Sequence, residues 1–454
     1  MCERPVPPAE APAPNVALPC GRETVTVCLP RAAAGRATVL ASRPCPPLQD
    51  PDASLARALA EPIGTLSLAS VARGRRSACV VVSDATRPVP NRVLLPPILR
   101  TLEAAGVPRD AVTVLIATGM HRPTEGRELL ELVGPEIAGR YRIVNHDCRD
   151  RSALARVTEI EGAPVELNRG YLEAELKVLT GLIEPHRYAG FSGGGKSVLP
   201  GLASFETMTF LHSFALPDRP EVALGRVEGN PFRDHVDAVC AAAGVDFLVN
   251  AVLDRGRRIT GLFAGDVREA FRAGCRVAAA HQLLSAERAA DLVLTTGGGH
   301  PLDQTLYQAT KGLSAVEAVL RPGGTLVLVA GCGEGLGGPG FCEVVRRSGT
   351  PAGFRARYGD PAAFTIDQWA AQAFFRSLEH AGRVLLFAPA LSCEEVASVG
   401  LTKIDDLDAV VTGALNAGET VYLVPEGPYV SAGLGRGNEV PERLATPDEG
   451  EGTR

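Results

Sequence analysis

The sequence predicts an α/β protein of two domains whose sheets are largely parallel. Its 454 residues are too many for one ordinary hydrophobic core and suit two domains. Short β-branched runs alternate with amphipathic stretches, such as residues 91–105 and 124–133, as in parallel sheets covered by helices. Several polar segments directly follow apolar runs, and the ligands of such sheets collect beyond the carboxyl ends of strands.

Ten apolar runs are predicted to be strands. They span residues 23–29, 77–83, 112–118, 141–145, 177–183, 247–253, 291–296, 324–330, 383–388 and 420–424. A helical segment ends and a new strand begins near residues 279–288, which predicts a domain boundary there. The expected organisation is a disordered Pro/Ala-rich tail over 1–22, an N-terminal domain over 23–280, a C-terminal domain over 281–431 and a flexible tail over 432–454.

The composition argues against several kinds of partner. The formal net charge is −6 and the pI is near 5.9, whereas binding to nucleic acid phosphates needs a basic surface. No apolar run is long enough to cross a bilayer, and the first 19 residues lack the basic and apolar regions of a signal peptide. The eleven cysteines are scattered without a CxxC pair, which favours reduced thiols and a cytoplasmic location.

Lysine is rare in this chain. Only four of the 46 basic residues are lysine, at positions 177, 196, 311 and 403. A genome that favours Arg codons explains the bias, but a lysine that persists in it can mark a place where an amine is required. Arginine stays protonated at any working pH, whereas lysine can lose its proton and act as a nucleophile. Lys196 and Lys311 lie inside the densest motifs of the chain.

Two polar motifs follow predicted strands in the N-terminal half. The first contains Asp84, Ala85, Thr86 and Arg87, a turn whose backbone N–H groups and guanidinium suit a phosphate or carboxylate. A helix N-cap with a surface arginine explains this segment equally well. The second contains His121, which titrates near neutrality and suits a general acid or base. A histidine in a loop can also be a plain surface residue.

The densest motif is the glycine-rich segment GLIEPHRYAGFSGGGKSVLPG over residues 181–201. Residues 190–197 match the P-loop pattern literally, which would predict a nucleotide hydrolase. A P-loop follows a buried strand and opens a helix at its lysine. Here the preceding residues are polar, and Pro200 stands four residues after Lys196, where it would interrupt that helix. The sequence therefore disfavours the hydrolase interpretation.

The same residues suit a cofactor that is attached to the protein. Glycines let the backbone approach a bulky group closely, and Lys196 offers a nucleophilic amine. His186 stands ten residues before this lysine and His212 sixteen residues after it. Two imidazoles and an amine around a glycine-rich loop favour a metal-bearing cofactor held by the protein.

The last motif, GGGHPLDQTLYQATK over residues 297–311, also follows a predicted strand. Gln308 and Lys311 are three apart and would share one helix face, where an amide and an ammonium can clamp a carboxylate or hydroxyl. A solvated helix surface would explain the same pattern. Trp369 is the only tryptophan, expected either in packing or as an apolar wall for a small substrate.

Together these motifs resemble the nickel-dependent lactate racemase family. The matching segments are SDATRPVP, ATGMHRPT, GLIEPHRYAGFSGGGKSVLPG with its downstream LHS, and GGGHPLDQTLYQATKG. Each is weak alone, but four in this order and spacing are highly specific. The resemblance implies a two-domain α/β protein whose active site lies in the interdomain cleft. The N-terminal domain would bind the cofactor, and the C-terminal domain would contribute substrate contacts.

The resemblance also implies a cofactor and the residues that use it. The cofactor is the nickel pincer nucleotide, a pyridinium bisthiocarboxylic acid mononucleotide that holds Ni(II) and is attached covalently at Lys196. The implied roles are nickel coordination by His212, acid/base catalysis by His121 and His186, seating of the cofactor by Asp84, Ala85, Thr86 and Arg87, and substrate contacts by Gln308, Lys311, Arg87 and Trp369. Cofactor-biosynthesis and nickel-insertion proteins are the implied partners.

The implied reaction inverts the carbinol carbon of a small 2-hydroxy acid. An imidazole removes the hydroxyl proton while a hydride leaves the carbon, and hydride return to the other face of the 2-keto acid inverts the centre. Malate-like or sugar-derived 2-hydroxy acids are alternative substrates, and Gly195 and His300 are positions expected to vary in the family. The sequence also leaves open two less favoured functions, a P-loop hydrolase and a non-catalytic carrier of the nickel cofactor.

Overall fold

The computed structural model describes residues 15–29 and 36–435. These residues form two compact units. The N-terminal unit comprises residues 42–283 and 355–369, and the C-terminal unit comprises residues 15–29, 36–41, 284–354 and 370–435. The predicted tails over residues 1–14 and 436–454 lie outside the described part of the chain.

The strands are short and lie mostly in two large sheets. They are β1 (Asn15–Cys20), β2 (Glu23–Cys28), β3 (Ala37–Val39), β4 (Ala78–Ser83), β5 (Val112–Ala117), β6 (Arg142–Asn145), β7 (Leu154–Ile160), β8 (Ala163–Asn168), β9 (Leu176–Leu182), β10 (Pro185–His186), β11 (Gly190–Phe191), β12 (Phe247–Leu253), β13 (Ile259–Gly265), β14 (Leu283–Ala286), β15 (Ala290–Thr296), β16 (Leu320–Val329), β17 (Arg383–Phe387), β18 (Thr402–Lys403), β19 (Val421–Val424) and β20 (Ser431–Leu434). All ten predicted strands are present.

The helices alternate with these strands. They are α1 (Pro51–Ala60), α2 (Leu68–Ala72), α3 (Asn91–Ala104), α4 (Gly126–Val133), α5 (Pro135–Arg140), α6 (Arg169–Glu173), α7 (Phe205–His212), α8 (Pro231–Ala243), α9 (Glu269–Gln282), α10 (Leu306–Ala309), α11 (Lys311–Val316), α12 (Pro339–Ser348), α13 (Pro351–Tyr358), α14 (Gln368–His380), α15 (Cys393–Ala397) and α16 (Leu407–Asn416). None of the described helices is long and apolar enough to cross a membrane.

The N-terminal unit is built on a six-stranded sheet in the order β13-β12-β9-β4-β5-β6. All neighbours are parallel except β12 and β13. Alternate residues of β4 face opposite ways: Cys79 and Val81 join one hydrophobic core, and Val80 and Val82 join another. Both faces are therefore covered, which explains why this strand reads as an unbroken apolar run.

The C-terminal unit is built on a second six-stranded sheet, in the order β18-β17-β16-β15-β19-β3, and all its neighbours are parallel. The antiparallel hairpin of β1 and β2 packs against it, because Val16, Leu18 and Val27 are buried in the same core as residues of β15, β16 and α16. The predicted α/β fold with two domains and largely parallel sheets is thus confirmed.

The structure corrects the predicted organisation at several places. Residues 15–22, predicted to be disordered, form β1 and the turn of its hairpin, whose apolar side chains are buried. Residues 23–29 and 36–41, assigned to the N-terminal domain, group with the C-terminal unit because β3 pairs with β19. Residues 432–434, assigned to a flexible tail, belong to β20, which pairs with β14.

Candidate active site

The carboxyl ends of three neighbouring strands carry the polar motifs of the N-terminal unit. Strands β9, β4 and β5 lie side by side and parallel. Asp84 directly follows β4, His121 lies four residues beyond β5, and Glu184 lies two residues beyond β9. Because the strands are parallel, the loops that follow them meet at one edge of the sheet, where ligands of such folds bind.

Asp84 and His121 form a hydrogen-bonded pair. The Nδ1 atom of His121 lies 2.6 Å from Oδ2 of Asp84, so Nδ1 is the donor and the neutral ring keeps a free lone pair on Nε2. Burial alone would raise the pKa of Asp84, but hydrogen bonds from His121 and Thr86, together with the charge of His121, lower it. The ionised carboxylate therefore orients an imidazole whose side chain is 58% exposed.

The rest of this turn is organised around two carboxylates. Thr86 donates its hydroxyl and its backbone N–H to Oδ1 of Asp84, at 2.6 and 3.2 Å. Arg87 donates to Glu184 at 2.9 Å, and Ala85 is exposed.

Helix α3 begins well beyond the turn, and no side chain caps its N-terminus. The N-cap interpretation of Asp84 is therefore wrong, and its carboxylate instead accepts hydrogen bonds from His121 and Thr86.

His186 lies in β10, which forms a small antiparallel hairpin with β11. Its Nδ1 accepts the backbone N–H groups of Tyr188 and Ala189, at 3.3 and 3.2 Å. The neutral ring therefore carries its hydrogen on Nε2. Burial, followed by the charges of Lys196 and Arg87, holds the pKa of His186 well below its usual range. This imidazole is neutral at pH 7.

Lys196 lies in a four-residue 3₁₀ turn, Gly194–Ser197. The N–H of Gly194 donates to Oδ1 of Asn250 at 2.8 Å, which ties the turn to β12. Gly193 has a φ of +80°, and a Cβ there would lie 2.7 Å from Asn250, so this close approach requires glycine. No helix opens at the lysine, because α7 begins nine residues later. The literal P-loop match does not have the fold of a P-loop.

The amine of Lys196 is suited to nucleophilic attack. Burial, followed by the charges of Arg87 and Arg233, lowers its pKa to about 7, although Asp84 and Glu184 act in the opposite direction. A large share of the molecules therefore carries a neutral amine at neutral pH, which an ordinary lysine with a pKa of about 10.4 does not.

His212 is the last residue of α7, whose N-terminus is capped by Ser204. Its Nδ1 lies 3.0 Å from the carbonyl oxygen of Met208, so Nδ1 donates and Nε2 keeps its lone pair. Burial lowers the pKa of His212 to about 4, and the hydrogen bond to Met208 only partly opposes this. The ring is thus neutral and held in the tautomer that binds a metal through Nε2.

Three aromatic rings surround His212. The ring centroids of Trp369, Phe232 and Tyr188 lie 5.3, 5.8 and 6.3 Å from that of the imidazole. The Tyr188 hydroxyl donates to the backbone carbonyl of Trp369. Residues 355–369 belong to the N-terminal unit, so the assignment of Trp369 to the C-terminal domain is wrong. The tryptophan forms an apolar wall beside this imidazole.

Gln308 and Lys311 belong to the C-terminal unit. They lie in two consecutive short helices, α10 and α11, which Thr310 separates, and not in the single helix that the sequence predicted. Both side chains are half-buried, and Oε1 of Gln308 has no hydrogen-bond partner among the described residues. A buried amide oxygen without a partner is available to a ligand.

The structure brings most predicted site residues into one unit. The members are Asp84, Ala85, Thr86, Arg87, His121, His186, Lys196, His212 and Trp369. The Tyr188 ring links two of the imidazoles, because its centroid lies 6.4 Å from that of His186 and 6.3 Å from that of His212. Sequence reasoning missed the residues that orient them, which are Glu184, Tyr188, Met208, Arg233 and Asn250. Only Glu184 and Tyr188 carried a signal, because both lie inside the glycine-rich segment.

The fold and the site define an α/β protein in which two oriented imidazoles and an amine with a lowered pKa follow the carboxyl ends of parallel strands. The family model described as the lactate racemase N-terminal domain matches residues 21–224, and that of the lactate racemase C-terminal domain matches residues 285–430. The chain belongs to the lactate racemase family and is an isomerase of the racemase type.

Individual relatives agree with this assignment. The lactate racemase of Lactiplantibacillus plantarum is 39% identical over 331 residues, which are 71% of this chain and 77% of that protein. The lactate racemase of Thermoanaerobacterium thermosaccharolyticum is 34% identical over 379 residues, or 82% and 88% of the two chains. The structure of the apoprotein of a lactate racemase from T. thermosaccharolyticum superposes with a TM-score of 0.86 at 31% identity and covers 92% of this chain and 100% of that chain. A Thermotoga maritima protein shares the fold, with a TM-score of 0.61 at 18% identity over 85% of this chain and 97% of that chain.

Proposed function

We propose that this chain racemises a small 2-hydroxy acid, with lactate as the first candidate, through hydride transfer on a nickel pincer nucleotide attached to Lys196. The observation that carries the proposal is the state of His212: Met208 holds its Nδ1–H, which leaves Nε2 available beside an amine with a pKa of about 7. The relatives named lactate racemase support lactate as the substrate.

The residues present fit this cofactor. Among the described residues, no group of three or more His, Cys, Asp and Glu side chains could hold a metal ion. A nickel ion at His212 would therefore take its remaining ligands from an organic group, as a pincer ligand provides. Lys196 supplies the amine for covalent attachment, and residues 84–87 seat the nucleotide. When bound, the cofactor supplies a hydride acceptor and donor.

The two imidazoles handle the hydroxyl proton. Asp84 accepts the Nδ1–H of His121, so the neutral form of this imidazole has its lone pair on Nε2 and can take the proton of one enantiomer. His186 carries its hydrogen on Nε2, because two backbone N–H groups occupy Nδ1, so the neutral ring offers a hydrogen bond to the substrate oxygen. The proton that His121 takes returns from its imidazolium to the product oxygen. Two bases on opposite sides of a planar 2-keto acid serve the two enantiomers, so His186 acts as the base for the opposite enantiomer in the tautomer that leaves Nε2 unprotonated.

The remaining predicted residues bind the substrate. In the C-terminal unit, the ammonium of Lys311 suits the substrate carboxylate, and the unpaired Oε1 of Gln308 suits a hydroxyl hydrogen. In the N-terminal unit, Arg87 also suits a carboxylate. Trp369 supplies the apolar wall that suits a small side chain such as a methyl group. Malate-like or sugar-derived 2-hydroxy acids are the second candidates, with the same chemistry. We place the enzyme in the cytoplasm, served by cofactor-biosynthesis and nickel-insertion proteins.

Intact-mass measurement of the holoprotein tests the cofactor. Protein from a host that makes the pincer nucleotide should carry an adduct and nickel, and both should be lost in Lys196→Ala. Lys196→Arg should also lack the adduct, since guanidinium is a poor nucleophile at working pH. Lys177→Ala is the matched control and should keep both. An unmodified, metal-free wild type that still racemises would contradict the proposal.

A panel of chiral 2-hydroxy acids tests the reaction. Lactate should exchange between enantiomers, and His121→Ala and His186→Ala should each lower kcat by about 10²- to 10⁴-fold. If malate or a sugar acid exchanges between its stereoisomers faster than lactate does, that acid is the substrate instead of lactate. A nickel-bearing protein without exchange would identify a carrier. Magnesium-dependent ATP binding without an adduct would indicate the hydrolase.

A further inference from the structure

Arg233 is a buried cation in α8 that the reaction outlined above does not use. Its side chain is 1% exposed, and its Nη1 has no hydrogen-bond partner. The guanidinium carbon lies 4.3 Å from the centroid of the Phe271 ring. Within the described residues, no carboxylate lies within ion-pair distance of this guanidinium. The charge of Asp237, one turn further along α8, acts on Arg233 without a contact ion pair. A buried cation without such a pair is costly, which suggests a purpose.

One side of the guanidinium holds the loop that carries His186. Nε and Nη2 of Arg233 donate to the carbonyl of Ala189, at 3.2 and 3.1 Å, and Nη2 also donates to the carbonyl of Phe191. The N–H of the same Ala189 donates to Nδ1 of His186. The guanidinium fork therefore holds Ala189, the residue whose N–H helps to set the tautomer of this imidazole.

The Phe271 ring next to the guanidinium packs against the turn that carries Lys196. A Cβ on Gly194 would lie 2.8 Å from the Phe271 ring, so the ring under the guanidinium also supports this turn. A Cβ on Gly195 would lie 2.3 Å from Sγ of Cys240, one of the residues of α8. Helix α8 and Phe271 thus bring the guanidinium, the His186 loop and the Lys196 turn into one packed group.

We propose that Arg233 is a positioning residue that clamps the His186 loop against the Lys196 turn and supplies a buried positive charge that keeps the Lys196 amine reactive. The inference deepens the proposed function, because it rests on Lys196 being the site of attachment. It also explains why an arginine is buried here. The planar fork of an arginine can donate to the loop carbonyls, and its permanent charge acts on the Lys196 amine.

The charges around Lys196 support this assignment. The charges of four side chains act on the Lys196 amine, and they are those of Arg87, Arg233, Asp84 and Glu184. The charge of Lys196 in turn acts on the imidazoles of His186 and His212. Arg87 is paired with Glu184 at 2.9 Å, and both imidazoles are neutral at pH 7 because their pKa values are lowered. Arg233 is therefore the cation in this group that has no contact ion pair within the described chain, although the more distant Asp237 of the same helix acts on its charge. After burial, it joins Arg87 in lowering the pKa of Lys196.

Competitive labelling of the apoprotein tests the charge. A trace of acetic anhydride is added across pH 5 to 10, and peptide mass spectrometry reports each of the four lysines, so that Lys177 and Lys403 serve as internal standards. Arg233→Gln removes the charge but keeps an amide donor for the loop carbonyls. It should lower the relative labelling of Lys196 at pH 7 by about fivefold, because a rise of one unit from a pKa of about 7 reduces the neutral fraction from about one half to about one eleventh. Arg233→Lys keeps a charge and should stay within about threefold of wild type.

Arg272→Gln is the matched control, because it removes an arginine of α9 that pairs with Glu228, and it should leave Lys196 labelling unchanged. A folded Arg233→Gln with wild-type labelling would overturn the proposal. If that variant does not fold, Arg233→Lys decides, since labelling at the level of an ordinary lysine would contradict the role of the charge. These results do not depend on the cofactor. A wild-type holoprotein without an adduct would overturn the proposed function instead, whatever the labelling shows.

The racemisation kinetics of the cofactor-bearing protein test the clamp. Arg233→Lys loses the two-carbonyl fork and should lower kcat more than it changes KM, because the clamp orients His186 and leaves the substrate anchors in place. The pH profile of kcat should shift as well, since the bonds that fix the tautomer of His186 loosen. A variant with unchanged kcat and pH profile would remove the clamp from the proposal.

Discussion

Oδ2 of Asp84 and Nδ1 of His121 are 2.6 Å apart, although 37 residues separate them in the chain. The pair exists because β4 and β5 are adjacent and parallel, so that the residues following each strand meet. A carboxylate only accepts hydrogen bonds, which leaves a single neutral tautomer for the imidazole. Asp84, which the resemblance assigned to cofactor seating, thereby gains a direct effect on the proposed base.

The variant Asp84→Asn tests this effect. An amide can donate or accept, so the new side chain no longer enforces the tautomer with a free Nε2, and kcat should fall by about a hundredfold, at the lower end of the usual contribution of a general base. Steady-state racemisation of the loaded enzyme measures it. Arg122→Gln, which breaks an exposed ion pair with Glu128 in the same loop, should change kcat less than about twofold. Equal effects of the two variants would contradict the proposed role of Asp84.

The stability of the apoprotein should depend on the protonation of His212. Its pKa is lowered from 6.5 to about 4 in the folded state, so its contribution is complete above pH 6.5 and declines as the pH falls towards 4. The expected loss is about 3 kcal/mol over this window. Chemical denaturation at pH 7.5 and pH 4.5 should show a smaller difference for His212→Gln than for wild type. Identical differences would mean that this imidazole is not held neutral.

The packing of the glycine-rich turn on α8 predicts a coupled pair of substitutions. Gly195→Ala would place a Cβ 2.3 Å from Sγ of Cys240 and should lower the free energy of unfolding by about 1–3 kcal/mol. The same change in a Cys240→Ala background should cost clearly less, because the clashing sulfur is gone. Thermal denaturation of the four proteins gives the coupling energy. Additive effects would show that the two residues do not touch.

The hydroxyl of Tyr188 should hold the tryptophan wall in place. Tyr188→Phe leaves the carbonyl of Trp369 without its donor and should cost about 1 kcal/mol of stability. Because the chain has a single tryptophan, its fluorescence reports this position directly, and the emission should shift to longer wavelength as the ring becomes more mobile. Tyr422→Phe, which removes a hydroxyl bonded to Arg288 elsewhere, should leave the emission unchanged. An unshifted spectrum of Tyr188→Phe would contradict the contact.

The central strands were predictable because they are buried on both faces and read as unbroken apolar runs, as in Ala78–Ser83. The missed strands lack this signal. Strand β3 has three residues, β13 contains two glycines at the sheet edge, and β1 includes a proline next to a Pro/Ala-rich stretch. Their pairing depends on distant partners, which local pattern does not reveal.

The candidate site residues could be selected from the sequence, because histidine and lysine are rare and stand in distinctive segments. Their orienting partners could not. Met208 acts through its backbone carbonyl, which any residue would supply, and Asn250 acts through a contact across 56 positions of sequence. Arg233 is one of many arginines, and only its burial distinguishes it. Such roles follow from tertiary packing alone.

Neither unit is a continuous stretch of polypeptide. The chain passes from one to the other after Ala41, Leu283, Phe354 and Trp369. A gene fragment that ends at codon 283 would encode the sheet, the amine and all three imidazoles, yet omit Trp369, the partner of Tyr188. To produce this half as a stand-alone protein, residues 355–369 must be spliced onto it through a designed linker. Simple truncation should yield a protein with an open apolar gap beside the His212 imidazole.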